Sequence, residues 1–279
     1  MTEVGAQIDE GRGEQMAERP TAGDDVRANV LGIGISAIDM PTALARVDEA
    51  IRLRRKGYVC VTGVHGVMEA QEDPSLRAVF NNSFMTTPDG VPMVWVGRAQ
   101  GHADMRRVYG PELMLKVVAQ GVDRGYRHFL FGGNEGIAGD LQREMERRFP
   151  GARFVGTCTP PFRPLNDDET AALVAQVREA KPDLIWVGLS APKQDRFMSA
   201  FLPKLDTTLM FGVGAAFDIH TGHIAEPPQW VMQAGLQWLH RLIQEPRRLW
   251  FRYLYYNPKF IWGVLLQFAG LRRQPLPAK

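Results

Sequence analysis

Cysteine is scarce in this sequence of 279 residues, which contains only Cys60 and Cys158. These two cysteines make no disulfide framework, and they do not have the spacing of metal ligands. The sequence also lacks an Asp-x-Asp motif and any His/Asp cluster with metal-ligand spacing, so we expect neither a metal nor another cofactor. No uncharged run approaches the roughly 20 residues of a membrane-spanning helix, and the acidic, polar N-terminus does not have the order of a secretory signal. We therefore expect a cytoplasmic protein that does not cross a bilayer.

Strong overall charge is absent as well, because the formal net charge is only +2. This balance argues against nucleic acid as a partner of the whole molecule. The charge is unevenly distributed, however. Residues 241–279 carry eight basic side chains and one acidic one, a net charge of +7, so the first 240 residues carry −5. Such asymmetry indicates an anionic partner for the C-terminal segment, either a membrane surface or a phosphate-bearing ligand.

The chain divides into three segments by composition and pattern. Residues 1–27 are rich in Gly, Glu, Asp and Ala, and we expect them to be disordered. In residues 28–226, short apolar runs alternate with helical patterns of ten to fifteen residues, which predicts an α/β domain with a Rossmann-like parallel sheet flanked by helices. From residue 227 to 279 the pattern becomes helical, basic and rich in tryptophan, which predicts a membrane-associating appendage.

A carboxylate in a tight turn is the first candidate for chemistry. Asp89 and Gly90 follow a short apolar run, and Asp-Gly is a turn signal because glycine accepts backbone angles that other residues avoid. Open α/β sheets place their ligands at the carboxyl ends of their strands. Asp89 at such a strand end is therefore a candidate general base, and an ordinary turn is the alternative.

Two glycine-rich turns are candidates for binding phosphate. Gly32-x-Gly34-x-x-Ala37 follows a first predicted strand at 30–35, and Gly132-Gly133 follows another. A dinucleotide site also requires an acidic residue at the end of the next strand, and both places lack it. The turn at Gly132 and Gly133 still suits a phosphate or ribose at a helix N-terminus. A strand-to-helix turn with no ligand is the equal alternative.

Two further strand ends carry polar side chains that could face the same crevice. Lys193 and Gln194 begin a helix after a buried strand and could meet a diphosphate or a sugar hydroxyl, although a solvated first turn also explains them. Asp218 follows the run of small residues at 212–216 and could hold a ribose or sugar hydroxyl. Close packing of a helix on the sheet is the alternative reason for those small residues.

The C-terminal segment interleaves tryptophan with arginine, since four of the six tryptophans lie in residues 230–262. Trp and Arg along helices suit a membrane interface. They suit equally an oligomer interface, or a lid that brings arginines to a diphosphate. The arginines concerned are Arg241, Arg247, Arg248 and Arg252.

Taken together and in this order, these motifs resemble the WecG/TagA/CpsF glycosyltransferase family, in register from about residue 30 to 258. Each glycine turn alone is a weak signal, whereas the ordered set is a strong one. The motifs are TPDGVPMVW at 87–95, RVYG at 107–110, FGG at 131–133, VGLSAPKQD at 187–195, GVGAAFD at 212–218, WLHRL at 238–242 and EPRRLW at 245–250.

The resemblance implies an inverting, metal-independent transferase. Such enzymes move N-acetylmannosamine or a similar sugar from UDP to a polyprenyl-diphosphate-linked sugar at the inner face of the cell membrane, in the synthesis of cell-surface polymers or exopolysaccharide. By this resemblance Asp89 is the general base, and the C-terminal arginines both bind the membrane and complete the site. It leaves open whether the chain forms homo-oligomers. The residues that it places around the nucleotide-sugar are Thr62, Arg107, Gln194 and Asp218.

One departure from the family pattern concerns the second predicted strand. Many members read Thr-x-Asn there, whereas this chain reads Thr62-Gly63-Val64-His65. Val64 stands where Asn is common, and His65 is the substitute that we expect to face the substrate. The donor sugar therefore stays open.

Two rival functions remain on sequence grounds. The first is a non-catalytic, nucleotide-sugar-binding partner of a membrane polysaccharide-assembly complex, which would bind UDP-sugar without turnover dependent on Asp89. The second is a Rossmann oxidoreductase, against which the missing acidic residues argue.

Overall fold

A computed structural model of the chain describes residues 25–228, 231–232 and 235–277, without the side chains of Arg241, Arg248 and Arg252. Residues 1–24 of the segment predicted to be disordered lie outside the described residues. Asp25 and Arg27, at its end, take part in the fold, because their side chains form an ion pair of 2.9 Å.

The first predicted strand at 30–35 is wrong. The chain instead forms an antiparallel hairpin of Arg27–Val30 (β1) and Ile33–Ser36 (β2), separate from the main sheet. Leu31 and Gly32 form its two-residue turn with φ of 52° and 81°, as turns that match the twist of paired strands require. Gly32 and Gly34 thus serve a hairpin and open no helix, which rules out the dinucleotide motif there.

Six parallel strands form the main sheet of the described residues, as the alternating pattern predicted. The apolar runs of five of these strands are buried on both faces, which is typical of strands covered by helices on each side, whereas the edge strand Arg153–Cys158 is only partly buried. The strands are Gly57–Thr62 (β3), Met85–Pro88 (β4), Arg127–Gly132 (β5), Arg153–Cys158 (β6), Leu184–Gly188 (β7) and Leu209–Gly212 (β8). Their order in the sheet is β4-β3-β8-β7-β5-β6.

Helices follow the strands, and local sequence fixes several of their ends. Asp39 caps the first helix by accepting a hydrogen bond from Thr42 N at 2.9 Å, and Asn166 with Glu169 forms a capping box on another. The helices are Met40–Arg52 (α1), Val64–Glu72 (α2), Pro74–Asn81 (α3), Val91–Ala99 (α4), Gly110–Arg124 (α5), Ile137–Arg148 (α6), Asp167–Ala180 (α7), Lys193–Phe201 (α8), Ala216–His220 (α9), Gln237–Gln244 (α10) and Pro246–Phe268 (α11).

The helices cover the sheet in two layers, each with its own apolar core. One layer contains α2, α3, α7, α8 and α11, and the other contains α1, α5, α6 and α9. The neighbouring strands β3 and β8 send their following helices, α2 and α9, to opposite layers. Such a switch opens a crevice at the carboxyl ends of the two strands, where open α/β sheets bind ligands.

The C-terminal helix α11 is docked on the α/β domain. Its Gln267 side chain accepts a hydrogen bond from Leu31 N at 2.8 Å and donates one to the Asn29 carbonyl at 2.7 Å. Phe260, in the middle of the helix, is buried in the core that includes β1 and α2. In the described part of the chain, no helix combines the length and apolarity needed to cross a bilayer.

Candidate active site

A cavity of about 1010 Å³ occupies the crevice at the switch between β3 and β8. It extends from the strand ends to α4 and α11, so the α/β domain and the C-terminal helices build it jointly. Six of the residues singled out from sequence line it: Thr62, His65, Asp89, Arg107, Gln194 and Asp218.

Asp89 lies immediately after β4, as its turn motif predicted. Its backbone N–H donates to the Thr62 carbonyl at 3.1 Å, which fixes the turn to the end of β3. The side chain is about one-third exposed, and its Oδ1 atom accepts no hydrogen bond from the described residues. A carboxylate that is held at its backbone yet open to a cavity can accept a proton from a bound hydroxyl group.

Arg107 is the cation beside this carboxylate. Its Nη2 atom lies 3.5 Å from Asp89 Oδ1, and its Nε–H donates to the Asp89 carbonyl. The guanidinium also donates to Gln237 Oε1 at the start of α10 and lies over the Tyr109 ring, 4.4 Å from its centroid. Arg107 therefore joins the Asp89 turn to the C-terminal helices while placing a positive charge in the cavity.

Gln237 and Tyr109 are site residues that sequence reasoning missed. Both line the cavity and fix the Arg107 guanidinium from two sides. Gln237 lies 130 positions from Arg107, and no local pattern distinguishes it from other helical glutamines. Tyr109 does lie within the RVYG motif, which is the signal that could have identified it.

The turn between β7 and α8 contributes Ser190, and the first turn of α8 contributes Gln194. The Gln194 side chain is only 3% exposed, and its Oε1 atom lacks a hydrogen-bond partner among the described residues. Ser190 has φ of 66°, a left-handed conformation that costs a non-glycine residue about 1–2 kcal/mol. An unpartnered buried amide and a strained serine at the same cavity wall mark a place for a polar ligand. Lys193, by contrast, is exposed and lies outside the lining.

His65 lies in the first turn of α2 with its neighbour Val64, and both line the cavity. His65 Nε2 is 3.3 Å from Glu69 Oε1, one helical turn further on. The imidazole also meets the Tyr256 ring of α11 edge-on at 5.3 Å. His65 is thus held by its own helix and by the C-terminal one.

The glycine turns have a packing explanation. Gly132 and Gly133 lie outside the cavity lining, both with positive φ. A Cβ atom at Gly132 would approach the Gly188 carbonyl oxygen to 2.6 Å, so only glycine fits between β5 and β7. Gly212 likewise makes room for the Gln194 and Met198 side chains of α8. Gly212 therefore agrees with close helix–sheet packing, the alternative given for the small residues at 212–216, although it also lines the cavity. Gly132 and Gly133 agree with a strand-to-helix turn that has no ligand.

The C-terminal arginines are only partly described. Arg247 is exposed and does not line the cavity, whereas the side chains of Arg241, Arg248 and Arg252 lie outside the described residues. Asp218 reaches the lining from α9. Within the described ranges, no group of three His, Cys, Asp or Glu residues is placed to hold a metal ion.

Comparison with known proteins agrees with the motifs whose residues line the cavity. Residues 28–274 match the profile of the Glycosyl transferase WecG/TagA/CpsF family. A relative from Bacillus spizizenii, named N-acetylglucosaminyldiphosphoundecaprenol N-acetyl-beta-D-mannosaminyltransferase, is 24% identical over 213 residues, which cover 76% of this chain and 80% of the relative. Because the profile spans nearly the whole described chain, this protein belongs to the WecG/TagA/CpsF family and is a glycosyltransferase.

Proposed function

We propose that this glycosyltransferase moves a sugar of the N-acetylmannosamine type, or a related one, from a UDP-sugar to a polyprenyl-diphosphate-linked acceptor sugar. The product would serve the synthesis of a cell-envelope or extracellular polysaccharide. The observation that carries the proposal is the Asp89 carboxylate, open to a large cavity beside the Arg107 guanidinium. The name of the Bacillus spizizenii relative, a mannosaminyltransferase that acts on a diphosphoundecaprenol-linked sugar, supports both substrate classes.

The reaction in this proposal is a single displacement that inverts the anomeric carbon. Asp89 takes the proton from the acceptor hydroxyl while that oxygen forms its bond to the anomeric carbon of the donor. The bond from that carbon to the diphosphate breaks, and UDP leaves with the electron pair. No metal is needed in this scheme if fixed cations offset the charge of the leaving group. Arg107, which lines the cavity, is one such cation, and Arg241, Arg248 and Arg252 are proposed as the others.

Donor recognition falls to the polar residues of the lining. Thr62, His65, Gln194 and Asp218 supply hydroxyl, imidazole, amide and carboxylate groups that suit ribose and sugar hydroxyls. The unpartnered Oε1 atom of Gln194 is the best placed of them, because a bound N–H or O–H would satisfy it. Lys193, Gly132 and Gly133 have no role in this proposal.

The experiment that tests the proposal measures UDP release across a panel of UDP-sugars, with a GlcNAc-diphosphate-polyprenyl analogue present or absent. We expect one donor to give release that depends on the acceptor, which would identify the donor sugar. A protein that binds UDP yet releases none with any donor and acceptor would contradict the proposal. That result would favour the non-catalytic, nucleotide-sugar-binding partner instead.

We also propose that residues 227–279 bind the inner face of the cell membrane from the cytoplasm. Among the described residues, twelve of the sixteen exposed large hydrophobic side chains lie between Trp238 and Leu271. The same segment carries most of the basic excess of the chain. Apolar side chains beside basic ones suit an interface of anionic lipids, where each Lys or Arg contributes about 1 kcal/mol.

Flotation with liposomes tests the membrane proposal. We expect the full chain to float with anionic vesicles and a chain ending at Pro227 to stay behind, because truncation removes the basic and apolar side chains together. Since Phe260 and Leu249 of α11 are buried, truncation also disturbs the core. A full-length Trp250→Ser, Phe251→Ser variant therefore serves as a second probe, because both side chains are more than half exposed. Equal flotation of all three proteins would refute the proposal.

A further inference from the structure

The cavity has two chemically different halves. Around Asp89, at the strand ends, the lining is polar. Away from it, the cavity continues as a groove between α4 and α11, which we call the apolar arm. The arm is lined by Val91, Trp95, Val96 and Ala99 of α4 and by Tyr256, Phe260, Ile261, Val264, Leu265 and Phe268 of α11.

The arm follows one continuous face of α11. The lining positions between Tyr253 and Phe268 recur every three or four residues, which is the spacing of one helical face. Fifteen helical steps at about 1.5 Å each make this face roughly 22 Å long. The single charged residue in this stretch, Lys259, pairs with Glu72 at 3.2 Å and is not part of the lining. The face is therefore long, narrow and uncharged.

Several side chains of the arm are exposed although they line the cavity. The exposed fractions are 64% for Trp95, 59% for Ile261 and 56% for Leu265. The groove has no charged group, and Asn257 with the hydroxyl groups of Tyr253 and Tyr256 are the few polar groups along α11, so most polar groups of a nucleotide or a sugar would be left without partners there. The groove suits an apolar chain that extends from the polar half of the cavity to the outside of the protein.

We propose that the apolar arm binds the first isoprene units of the acceptor's polyprenyl chain, between α4 and α11. This inference rests on the proposed function and assigns a place to one part of its acceptor. The continuity of the arm with the Asp89 half of the cavity is what selects this occupant, because the acceptor carries its reacting hydroxyl and its apolar chain in one molecule. Two alternatives would also explain this apolar surface. The arm could insert into the bilayer, or it could pair with a second copy of the chain.

Acceptor chain length tests the proposal in a system without membranes. GlcNAc-diphosphate acceptors with one to six isoprene units would be compared below their micelle-forming concentrations. We expect the KM for the acceptor to fall at least tenfold with length and then to level off once the arm is filled. A KM that does not depend on length would overturn the proposal while leaving the transferase function intact.

Two matched substitutions on α11 test whether the dependence of KM on acceptor length arises in the arm. Leu265→Glu places a charge in the arm, whereas Leu254→Glu makes the same change on the same helix at a side chain that is 66% exposed and outside the lining. We expect Leu265→Glu to abolish the advantage of long acceptors without changing the KM for the one-isoprene acceptor or the donor. Leu254→Glu should behave as the wild type. Equal effects of the two substitutions would overturn the proposal. A change of oligomeric state with Leu265→Glu alone would also overturn it, in favour of pairing with a second copy.

A measurement independent of turnover separates this inference from the proposed function. A polyprenyl monophosphate that carries a benzophenone on its second isoprene unit would be photo-crosslinked to the wild-type protein in solution. We expect adducts on the lining residues of α4 and α11. Adducts there without turnover on any acceptor would contradict the proposed function and keep the lipid site. Adducts confined to exposed residues outside the arm, such as Trp262, would overturn the lipid site.

Discussion

Asp89→Asn should lower the turnover of acceptor and donor by roughly 10²- to 10⁴-fold, the usual contribution of a general base. Asparagine keeps the shape of the side chain but cannot accept the proton of the acceptor hydroxyl. The backbone contacts that hold the turn, from Asp89 N to the Thr62 carbonyl and from Arg107 Nε to the Asp89 carbonyl, do not depend on the carboxylate. The variant should therefore fold and bind UDP-sugar while failing in the chemical step.

The measurement is acceptor-dependent UDP release at saturating donor, together with UDP-sugar affinity by calorimetry. Asp123→Asn is the matched control, since Asp123 is an exposed carboxylate on α5 outside the cavity. We expect it to retain wild-type turnover. If Asp89→Asn turns over within a few-fold of the wild type, Asp89 is not the base and the proposed mechanism fails. A loss of donor affinity as large as the loss of turnover would indicate a binding role instead.

Local signals were sufficient to predict the strand end that is followed by Asp89. Asp89 could be placed after a strand because the turn chemistry of Asp-Gly acts over a few residues, and the structure confirms that place. The hairpin of β1 and β2 escaped prediction because its turn depends on Leu31 adopting a positive φ, which leucine rarely does. Packing of the hairpin against α11 and Asn81 stabilises a conformation that local preference opposes.

The C-terminal half of the cavity could not be predicted for a different reason. The residues that line this half depend on which face of α11 contacts the α/β domain. That face is determined by contacts between residues more than 150 positions apart in the sequence. The Gln267 bonds to the hairpin and the contact of Tyr256 with His65 are examples. The helical pattern and the tryptophans of this segment were visible in the sequence, but a membrane-facing helix and a cavity-lining helix can share these features. Likewise, the packing role of Gly132 appears only when β5 and β7 are seen side by side.

Asp195 provides the second large effect that we expect, on stability and not on catalysis. This residue follows Gln194 in α8 and is almost completely buried. Neither carboxylate oxygen accepts a hydrogen bond of normal geometry from the described residues. Burial raises the pKa of Asp195 to about 7, and the neighbouring Cys60 thiol, a weak donor, offsets only part of this rise in pKa. Near neutral pH the folded protein therefore holds a proton that the unfolded chain releases.

The sign of the pH dependence follows from this pKa difference. The unfolded carboxyl group titrates near 3.8 and the folded one near 7, so the contribution of this group to stability is fully present below pH 3.8 and is lost as the pH rises to 7. The asparagine side chain of the Asp195→Asn variant does not titrate. We therefore expect the unfolding free energy of Asp195→Asn to exceed that of the wild type by an amount that grows between pH 4 and pH 7. The growth should reach a few kcal/mol, since each pKa unit corresponds to about 1.4 kcal/mol.

Urea unfolding of both proteins from pH 4.5 to pH 8.5 gives this difference directly. His128, whose pKa burial lowers to about 3, acts in the opposite direction, since its contribution to stability is lost as the pH falls below 6.5. Both proteins contain His128, so its contribution cancels when one curve is subtracted from the other. A difference that stays constant over this pH range would show that the Asp195 carboxyl group keeps its ordinary pKa, and would mean that water or a conformational change relieves its burial.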